Sequence, residues 1–221
     1  METTTVPVSR SPITNKEYLL PVNADDKKGI DSFLALHPGK KVVVVQGLGF
    51  VGSVMGLVVA NALTEEYAVI GIDLPTVSSF WKICSINEGV FPVLASDPKI
   101  SLYYQNALKK KNYYATYDSY AFSKADVIVV DINLDVKKQS SFHDDVEDYN
   151  VDLTPFKKAI NSIGQFCKKD VLVLVETTVP PGTSQKIVRP ILEENLQKRG
   201  LPVDELKVGH SYERVMTGPK Y

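Results

Sequence analysis

The stretch that decides the fold is KVVVVQGLGFVGSVMGLVVANALTEEYAVIGID, residues 41–73. It opens with four consecutive valines, which are typical of a strand buried on both faces. Three glycines follow at once in G-x-G-x-x-G spacing, and a run compatible with a helix continues to Ala62. A second apolar strand, residues 68–72, ends at Asp73. This order of strand, glycine turn, helix and strand is typical of a βαβ unit.

The glycine turn has the features of a dinucleotide-binding loop. Gly47 permits the tight turn out of the strand, and Gly49 lets the backbone approach a pyrophosphate. Gly52 lets the helix pack close to the strand. The helix N-terminus offers unpaired N–H groups to the phosphates, so Phe50 and Val51 are predicted to contact the cofactor as well.

Asp73 lies about 20 residues beyond the last glycine, at the end of the second strand. An acidic side chain there is placed to accept hydrogen bonds from the adenosine ribose hydroxyls. Its charge would repel the 2′-phosphate of NADP. The sequence therefore predicts NAD as the cofactor.

A membrane-spanning helix is the rival interpretation of the same stretch. Val42 to Leu63 carries no charge, and Gly52 and Gly56 form a G-x-x-x-G pair. Four glycines within ten residues, with Gln46 and Asn61 inside the run, argue against a span. The strand, helix and acidic residue around the glycines favour the nucleotide fold.

Length and charge limit the possible partners. The chain has 221 residues, which suits one domain with additional segments, and a formal net charge of -1. A charge so close to zero gives no electrostatic reason to expect nucleic acid or an anionic membrane as a partner.

The cysteines and the N-terminus indicate the compartment. Cys84 and Cys167 are far apart and match no metal or redox spacing, which is simplest in a reducing compartment. Cys84 lies in an apolar helical pattern beside Trp81, where it is predicted to fill the core. The N-terminus has neither a basic start nor the apolar core of a secretion signal. We therefore expect a cytoplasmic protein.

Residues 1–39 are predicted to form an N-terminal arm. Residues 1–23 show no sustained periodicity and are expected to be irregular. A short helix follows, which Asp25 or Asp26 would cap. Its apolar side is predicted to consist of Phe33, Leu34 and Leu36.

Residues 40–221 are predicted to form a single α/β domain. Beyond Asp73, strands are predicted over 113–117, 126–130, 170–176 and 206–209, and helices over 76–87, 99–110, 153–166 and 184–198. This alternation predicts a doubly wound, mostly parallel sheet of Rossmann type with right-handed crossovers.

The sheet topology predicts where a ligand binds. In open parallel sheets ligands lie beyond the carboxyl ends of the strands. The segments expected to surround one crevice are Gly47–Gly52, Asp73, Asp131, Thr177–Gly182 and Glu213.

The polar connection at residues 132–154 carries a second candidate site. His143, Asp144 and Asp145 could form a metal-ligand group. A solvated loop is the better interpretation because no metal-ligand spacing rule is met. No metal site is therefore predicted.

Four motifs carry a resemblance to a known family. They are GLGFVG at 47–52, INEGVFPV at 86–93, ETTVPPGT at 176–183 and SYERVMTG at 211–218. Over residues 40–221 the chain resembles the N-terminal, NAD-binding domain of the UDP-glucose/GDP-mannose dehydrogenases. It looks nearest to the branch that oxidises UDP-N-acetylmannosamine and related N-acetylhexosamines.

The resemblance implies a double oxidation of a UDP-sugar, a UDP-N-acetylhexosamine or UDP-glucose, to the uronic acid with two NAD. By the same resemblance Thr178 lies near the nicotinamide and the catalytic water, and Glu213 handles water or protons when a thioester is hydrolysed. Arg214 is a candidate partner for an anion of the substrate. The plainer alternatives are that Thr178 closes a turn and that Glu213 and Arg214 form a surface ion pair.

The chain also departs from the family pattern. Residues 130–133 read VDIN where the family usually has V-P-T-P, and Tyr212 replaces a proline. The family's cysteine, lysine and asparagine match no position here, and neither Cys84 nor Cys167 is nominated.

From these departures we expect an isolated NAD-binding domain or fragment that binds NAD without full catalysis, with a possible homodimer in the full-length enzyme. A stand-alone dinucleotide-binding module for sensing or assembly is the alternative. A Rossmann dehydrogenase acting on a hydroxy acid is a third, weaker interpretation, because it leaves the last two motifs as coincidences.

Overall fold

The computed structural model describes residues 7–23, 25–134 and 151–213. The strands are β1 (Val8–Arg10), β2 (Glu17–Leu19), β3 (Lys41–Gln46), β4 (Tyr67–Ile72), β5 (Tyr113–Thr116), β6 (Val127–Val130), β7 (Leu172–Val175) and β8 (Lys207–His210). The α-helices are α1 (Lys27–Ala35), α2 (Phe50–Ala60), α3 (Phe80–Asn87), α4 (Pro98–Lys110), α5 (Thr154–Phe166) and α6 (Arg189–Lys198). A 3₁₀ segment, Ser119–Ser123, precedes β6, and a wide helical turn, Ser184–Val188, leads into α6.

Six parallel strands form the central sheet in the order β5-β4-β3-β6-β7-β8. Counted from β3, this is the order 3-2-1-4-5-6 of a doubly wound dinucleotide-binding sheet. The predicted fold class is therefore confirmed. The strand order reverses between β3 and β6, and ligands bind at such a switch point.

The valine run is buried because both faces of β3 are covered. Val42 and Val44 belong to the core beneath α1, α5 and α6. Val43 and Val45 belong to the core on the opposite face, which also contains Leu57 of α2 and residues of α4. Successive side chains of a strand point to opposite faces, so an unbroken apolar run fits a strand covered on both sides.

The membrane-span interpretation of Val42 to Leu63 is wrong. Its first part is strand β3, and α2 is an 11-residue helix that begins only at Phe50. Within residues 7–23, 25–134 and 151–213, no helix is both long and apolar enough to cross a membrane.

The prediction of an irregular arm is wrong for the described part of residues 1–23. β1 and β2 form an antiparallel hairpin. Short-range turn chemistry closes it: the Ser11 hydroxyl accepts from the backbone N–H groups of Ile13 and Thr14, and Asn15 adopts a left-handed φ of 59°. Strands of three residues are too short to show a periodicity in the sequence.

The hairpin is attached to the domain through Ser9. Its fully buried hydroxyl donates to the carbonyl of Val77 at 2.7 Å and accepts from the N–H of Trp81 at 3.0 Å. The latter is a backbone donor in the first turn of α3, which a capping hydroxyl stabilises. The arm therefore fixes the start of α3.

Helix α1 forms where predicted, but its cap differs. Asp26 occupies the N-cap position without a side-chain capping bond. Its carboxylate accepts instead from the hydroxyls of Tyr114 and Thr116 in β5. The buried residues of α1 are Ile30 and Phe33, whereas Leu36 is 61% exposed. The prediction of the apolar side is thus only partly right, because the orientation of the helix places Ile30, and not Leu36, in the core.

The remaining boundaries shift by a few residues. α3 begins at Phe80 rather than at residue 76, since the Ser79 hydroxyl bonds the carbonyl of Leu74 and holds the preceding segment in a turn. α4 begins at Pro98 with the side chain of Asp97 accepting from the N–H of Lys99 at 2.8 Å, as its cap chemistry predicts.

Candidate functional site

A cleft of about 510 Å³ opens beyond the carboxyl ends of β3, β6 and β7. Its walls come from the glycine turn, from the ends of β6 and β7, from the segment after β8 and from one residue of α3. The lining residues are Gly49, Phe50, Val51, Gly52, Lys82, Asp131, Ile132, Asn133, Leu134, Glu176, Thr177, Thr178 and Glu213. The structure thus brings most of the predicted site residues to one place.

The three glycines have different roles in the turn. Gly47 has a φ of +103°, and a Cβ there would overlap the carbonyl oxygen of Asp131. A Cβ on Gly52 would overlap the carbonyl oxygen of Gly47. These two glycines therefore allow the backbone to pack, with or without a ligand.

Gly49 is different because a Cβ there would meet nothing within 4 Å. It is the N-cap of α2 and makes no side-chain capping bond. The N–H groups of the first helical turn consequently face the open cleft, which is the arrangement that binds a phosphate. The free space over Gly49 and the uncapped helix end fit the pyrophosphate of a dinucleotide.

Asp73 lies just beyond β4, where it also supports the glycine turn. Its Oδ2 accepts from the N–H of Leu48 at 3.2 Å, and its Oδ1 accepts from the N–H of Leu74 at 2.7 Å. The Nζ of Lys82 is 3.5 Å from Oδ2. Asp73 does not itself line the cleft, but Lys82, with which it forms an ion pair, does.

Sequence reasoning missed Lys82 as a site residue. The signal available in the sequence was a single lysine in the otherwise apolar first turn of α3, nine positions after Asp73. A lysine beside a ribose-binding aspartate can hydrogen-bond the same hydroxyls.

Two adjacent threonines in the loop after β7 have different surroundings. Thr177 is buried, accepts from the N–H of Ile132 at 2.8 Å and donates to the carbonyl of Val130 at 3.2 Å. Thr178 is exposed and lines the cleft. The turn that follows is closed by Thr183, whose hydroxyl donates to the carbonyl of Pro180 at 2.7 Å. The turn-closing role is thus performed by Thr183 and not by Thr178.

Three carboxyl groups share the cleft: Asp131, Glu176 and Glu213. Burial, followed by the charges of Glu176 and Glu213, raises the pKa of Asp131 to about 7. Burial and the charge of Glu213 also raise the pKa of Glu176. Sequence reasoning missed Glu176, because an acid ending a buried strand carries no sign of its neighbours.

The cysteines lie away from this chemistry. Cys84 is half-buried, and burial raises the pKa of its thiol to about 11, while Cys167 is buried in the core and its pKa is also raised by burial. Both are described residues, and neither lines the cleft. Their surroundings agree with a packing role.

Two groups of predicted residues fall outside the described ranges. Arg214, the candidate for binding a substrate anion or for a surface ion pair with Glu213, is one of them. His143, Asp144 and Asp145 are the other group. Within the described ranges no three His, Cys, Asp or Glu side chains are grouped to hold a metal ion.

Comparisons with known proteins find relatives over most of the chain. The chain is 30% identical over 182 residues to UDP-N-acetyl-D-glucosamine 6-dehydrogenase of Pseudomonas aeruginosa, covering 80% of this chain and 36% of the relative. It is 28% identical over 176 residues to UDP-N-acetyl-D-mannosamine dehydrogenase of Pyrococcus horikoshii, covering 80% of this chain and 37% of the relative. The chain therefore spans little more than a third of the length of these relatives.

The fold also matches a solved structure. NDP-N-acetyl-D-galactosaminuronic acid dehydrogenase from Methanosarcina mazei superposes with a TM-score of 0.69 at 26% identity, over 86% of this chain and 38% of that one. Residues 40–220 match the family described as UDP-glucose/GDP-mannose dehydrogenase, NAD binding domain. The chain therefore belongs to the UDP-glucose/GDP-mannose dehydrogenase family, and residues 40–220 are its NAD-binding domain.

Proposed function

We propose that the cleft holds NAD so that it accepts hydride from a nucleotide sugar. The observation that carries the proposal is the meeting, in one cavity, of the open helix end at Gly49 with Thr178 and Glu213. The pyrophosphate would lie over Gly49, Phe50 and Val51. The two ends of the cofactor would then lie on opposite sides of the glycine turn.

The adenosine end belongs beside Asp73 and Lys82. The Asp73 carboxylate accepts hydrogen bonds from the ribose hydroxyls, and the Lys82 ammonium donates to the same group. The two side chains are 3.5 Å apart, so both can contact one ribose. The negative charge of Asp73 favours NAD over NADP.

The nicotinamide end belongs near Thr178 and Glu213. The exposed Thr178 hydroxyl can both donate and accept a hydrogen bond, which suits the positioning of a water or of the cofactor's amide. The Glu213 carboxylate is the proposed group that receives or returns a proton at that water. Asp131 forms the floor between the two ends, and Arg214, the next residue after Glu213, is the proposed partner for a substrate anion.

The substrate of the whole protein is proposed to be a UDP-sugar, a UDP-N-acetylhexosamine or UDP-glucose, oxidised to its uronic acid. The support is the family membership together with the names of the two relatives, both of which act on UDP-N-acetylhexosamines. The expected cytoplasmic location and homodimer stay predictions.

The 221-residue chain is proposed to bind NAD without steady turnover. The family's route needs a thiolate to capture the aldehyde, and the two thiols here are held away from the cleft. Burial raises the pKa of both, and a thiol that remains protonated is a poor nucleophile.

Calorimetry and an absorbance assay test the proposal. We expect saturable binding of NAD to the purified chain and weaker binding of NADP. We also expect no sustained NADH formation when UDP-glucose, UDP-N-acetylglucosamine or UDP-N-acetylmannosamine is added. Tighter binding of NADP contradicts the role of Asp73, and steady NADH formation contradicts the absence of turnover.

Thr178→Ala and Glu213→Gln test the nicotinamide end. Each is expected to weaken the binding of NAD while leaving the affinity for ADP-ribose, which lacks the nicotinamide, close to that of the unaltered chain. Thr183→Ala is the matched control, because Thr183 closes the same loop and does not line the cleft. Equal losses of affinity for both ligands would assign Thr178 and Glu213 a structural role.

A further inference from the structure

Two of the carboxyl groups in the cleft are neighbours because of the sheet. Asp131 directly follows β6, and Glu176 directly follows β7. These strands are parallel partners, with Val130 opposite Val175. The next residue of each strand therefore lies at the same edge, and the two acids are brought together across 45 positions of sequence.

Neither of these acids is fully satisfied. Glu176 is 5% exposed, and its buried Oε2 has no hydrogen-bond partner among the described residues. The buried Oδ2 of Asp131 likewise has none there. A buried carboxylate oxygen without a partner is costly, whereas a protonated carboxyl can donate to a neighbouring carboxylate.

The charges that face Asp131 are mostly negative. Glu176 approaches from the end of β7 and Glu213 from the segment after β8, while α2 contains no charged side chain. Lys82 of α3 is the cation that lines the cleft within the described ranges, and it is paired with Asp73. Acids grouped in this way ionise as a coupled set, in which the first ionisation opposes the next.

Asp131 lies against the helix end that is proposed to receive the pyrophosphate. Its Oδ2 is 3.3 Å from the position of a Cβ on Gly52, in the first turn of α2. An ionised Asp131 would repel the phosphates of a bound dinucleotide. A protonated Asp131 removes that repulsion and leaves the helix end to the phosphates.

We propose that Asp131 and Glu176 share one proton when a dinucleotide occupies the cleft, so that NAD binding takes up a proton from the solvent. The inference rests on the proposed binding of NAD over Gly49. The proton comes from water or buffer and no covalent bond changes. The neutral range in which Asp131 titrates agrees with this device, since its pKa is raised to about 7.

The consequence is an affinity that depends on pH. Below the pKa of Asp131 the proton is already in place and NAD binds without an exchange. Above it a proton must be taken up with each NAD, so the dissociation constant rises by up to about tenfold per pH unit. Glu213 strengthens the effect through its charge.

Calorimetry in two buffers tests the proposal on the 221-residue chain. NAD is titrated at neutral pH in PIPES and in Tris, whose ionisation enthalpies differ and neither of which contains phosphate, and again between about pH 6 and about pH 8.5. We expect a binding enthalpy that differs between the buffers in the sense of proton uptake, and weaker binding at the alkaline end. Asp131→Asn should abolish both effects and bind at the alkaline end about as tightly as the unaltered chain binds at the acid end.

Asp170→Asn is the matched control, because Asp170 is an exposed acid at the opposite end of β7 and lies outside the cleft. It is expected to keep the buffer and pH dependence of the unaltered chain. Binding of NAD that is independent of pH and buffer would overturn the shared proton while leaving the proposed cofactor site intact. Failure to bind NAD at any pH would overturn both.

A second measurement does not depend on the binding of a ligand. Carbon-13 NMR of the side-chain carboxyl groups follows the titration of Asp131 in the unaltered chain. We expect a midpoint in the neutral range, with Glu176→Gln moving it downward. A midpoint of Asp131 at the ordinary value for aspartate would overturn the proposal.

Discussion

The hydroxyl of Thr116 donates a 2.6 Å hydrogen bond to Oδ2 of Asp26, ninety positions earlier in the chain. Tyr114 donates to the same oxygen at 2.9 Å. Both donors belong to β5, the edge strand of the central sheet. The contact ties the arm, which precedes the residues matched to the family, to the sheet that carries the cofactor site.

Asp26→Ala is expected to lower the free energy of unfolding by about 1–3 kcal/mol, because the buried hydroxyl of Thr116 and the half-buried hydroxyl of Tyr114 lose a charged acceptor. Asp25→Ala is the control. Asp25 is exposed and, among the described residues, accepts a hydrogen bond only from the N–H of Lys27, at 3.2 Å, so its loss should cost about 0.5 kcal/mol or less. Chemical denaturation measures both. Equal losses would mean that the arm is not held by these bonds.

Substitutions in the glycine turn should distinguish the glycines needed for packing from the one proposed to contact the ligand. Gly47→Ala and Gly52→Ala each force a Cβ onto a backbone carbonyl, so each should destabilise the fold by about 2 kcal/mol or more. Gly49→Ala meets open space and should cost less than about 1 kcal/mol.

Gly49→Ala should change the affinity for NAD much more than it changes the stability of the fold. A Cβ there stands where the pyrophosphate approaches, so we expect Gly49→Ala to weaken NAD binding by at least about tenfold while thermal melting changes little. Ser101→Ala is the control, because Ser101 is exposed. Gly39→Ala would not serve, because Gly39 has a positive φ. Unchanged affinity in Gly49→Ala would place the pyrophosphate elsewhere.

The pair of Asp73 and Lys82 is proposed to set the choice between NAD and NADP. Asp73→Ala removes the repulsion of a 2′-phosphate and leaves the Lys82 ammonium, formerly 3.5 Å away, without its carboxylate. We expect NAD affinity to fall by about tenfold and the ratio of NADP to NAD affinity to rise. Adding Lys82→Met should remove the gain for NADP. An unaltered preference for NAD in Asp73→Ala would show that another residue reads the ribose.

Asp131 makes stability depend on pH even without a ligand. Its pKa is raised from 3.8 to about 7 on folding, so the folded state binds more protons than the unfolded state between these values. Stability therefore falls as the pH rises through this window, and the penalty is absent below it.

Asp131→Asn cannot ionise and should escape that penalty. We expect its melting temperature to match that of the unaltered chain near pH 4 and to exceed it above about pH 7. Thermal melts across this range, with Asp170→Asn as the control, measure the difference. A difference that does not change with pH would show that Asp131 ionises normally in the fold.

Local patterns in the chain were enough to predict the fold class and the phosphate-binding turn. The valine run, the three glycines and Asp73 act within one continuous βαβ unit, so their spacing carries the whole signal. Thr178 and Glu213 were predicted to meet the turn because parallel strands present their carboxyl ends at one edge. The structure places both in the same cleft as Gly49.

Other features depend on contacts between distant segments and left no local pattern. No sequence pattern distinguishes Ser9 from the other serines of the chain, yet it forms hydrogen bonds with Val77 and Trp81 across the interface between the arm and the domain. Asp26 lies at the position of a helix cap, but its carboxylate accepts hydrogen bonds from two side chains of β5.

The sequence by itself determined the backbone of the glycine turn that we propose as the cofactor-binding loop, because three glycines and a helix start within six residues leave little choice of backbone. Only the tertiary structure decided what surrounds that loop. The pairing of β6 with β7 brings Glu176 beside Asp131, and the same packing buries Glu176 and half-buries Asp131. The pKa of Asp131 is thereby raised to about 7 and that of Glu176 is also raised, since burial and the neighbouring charges exist only once the sheet has formed.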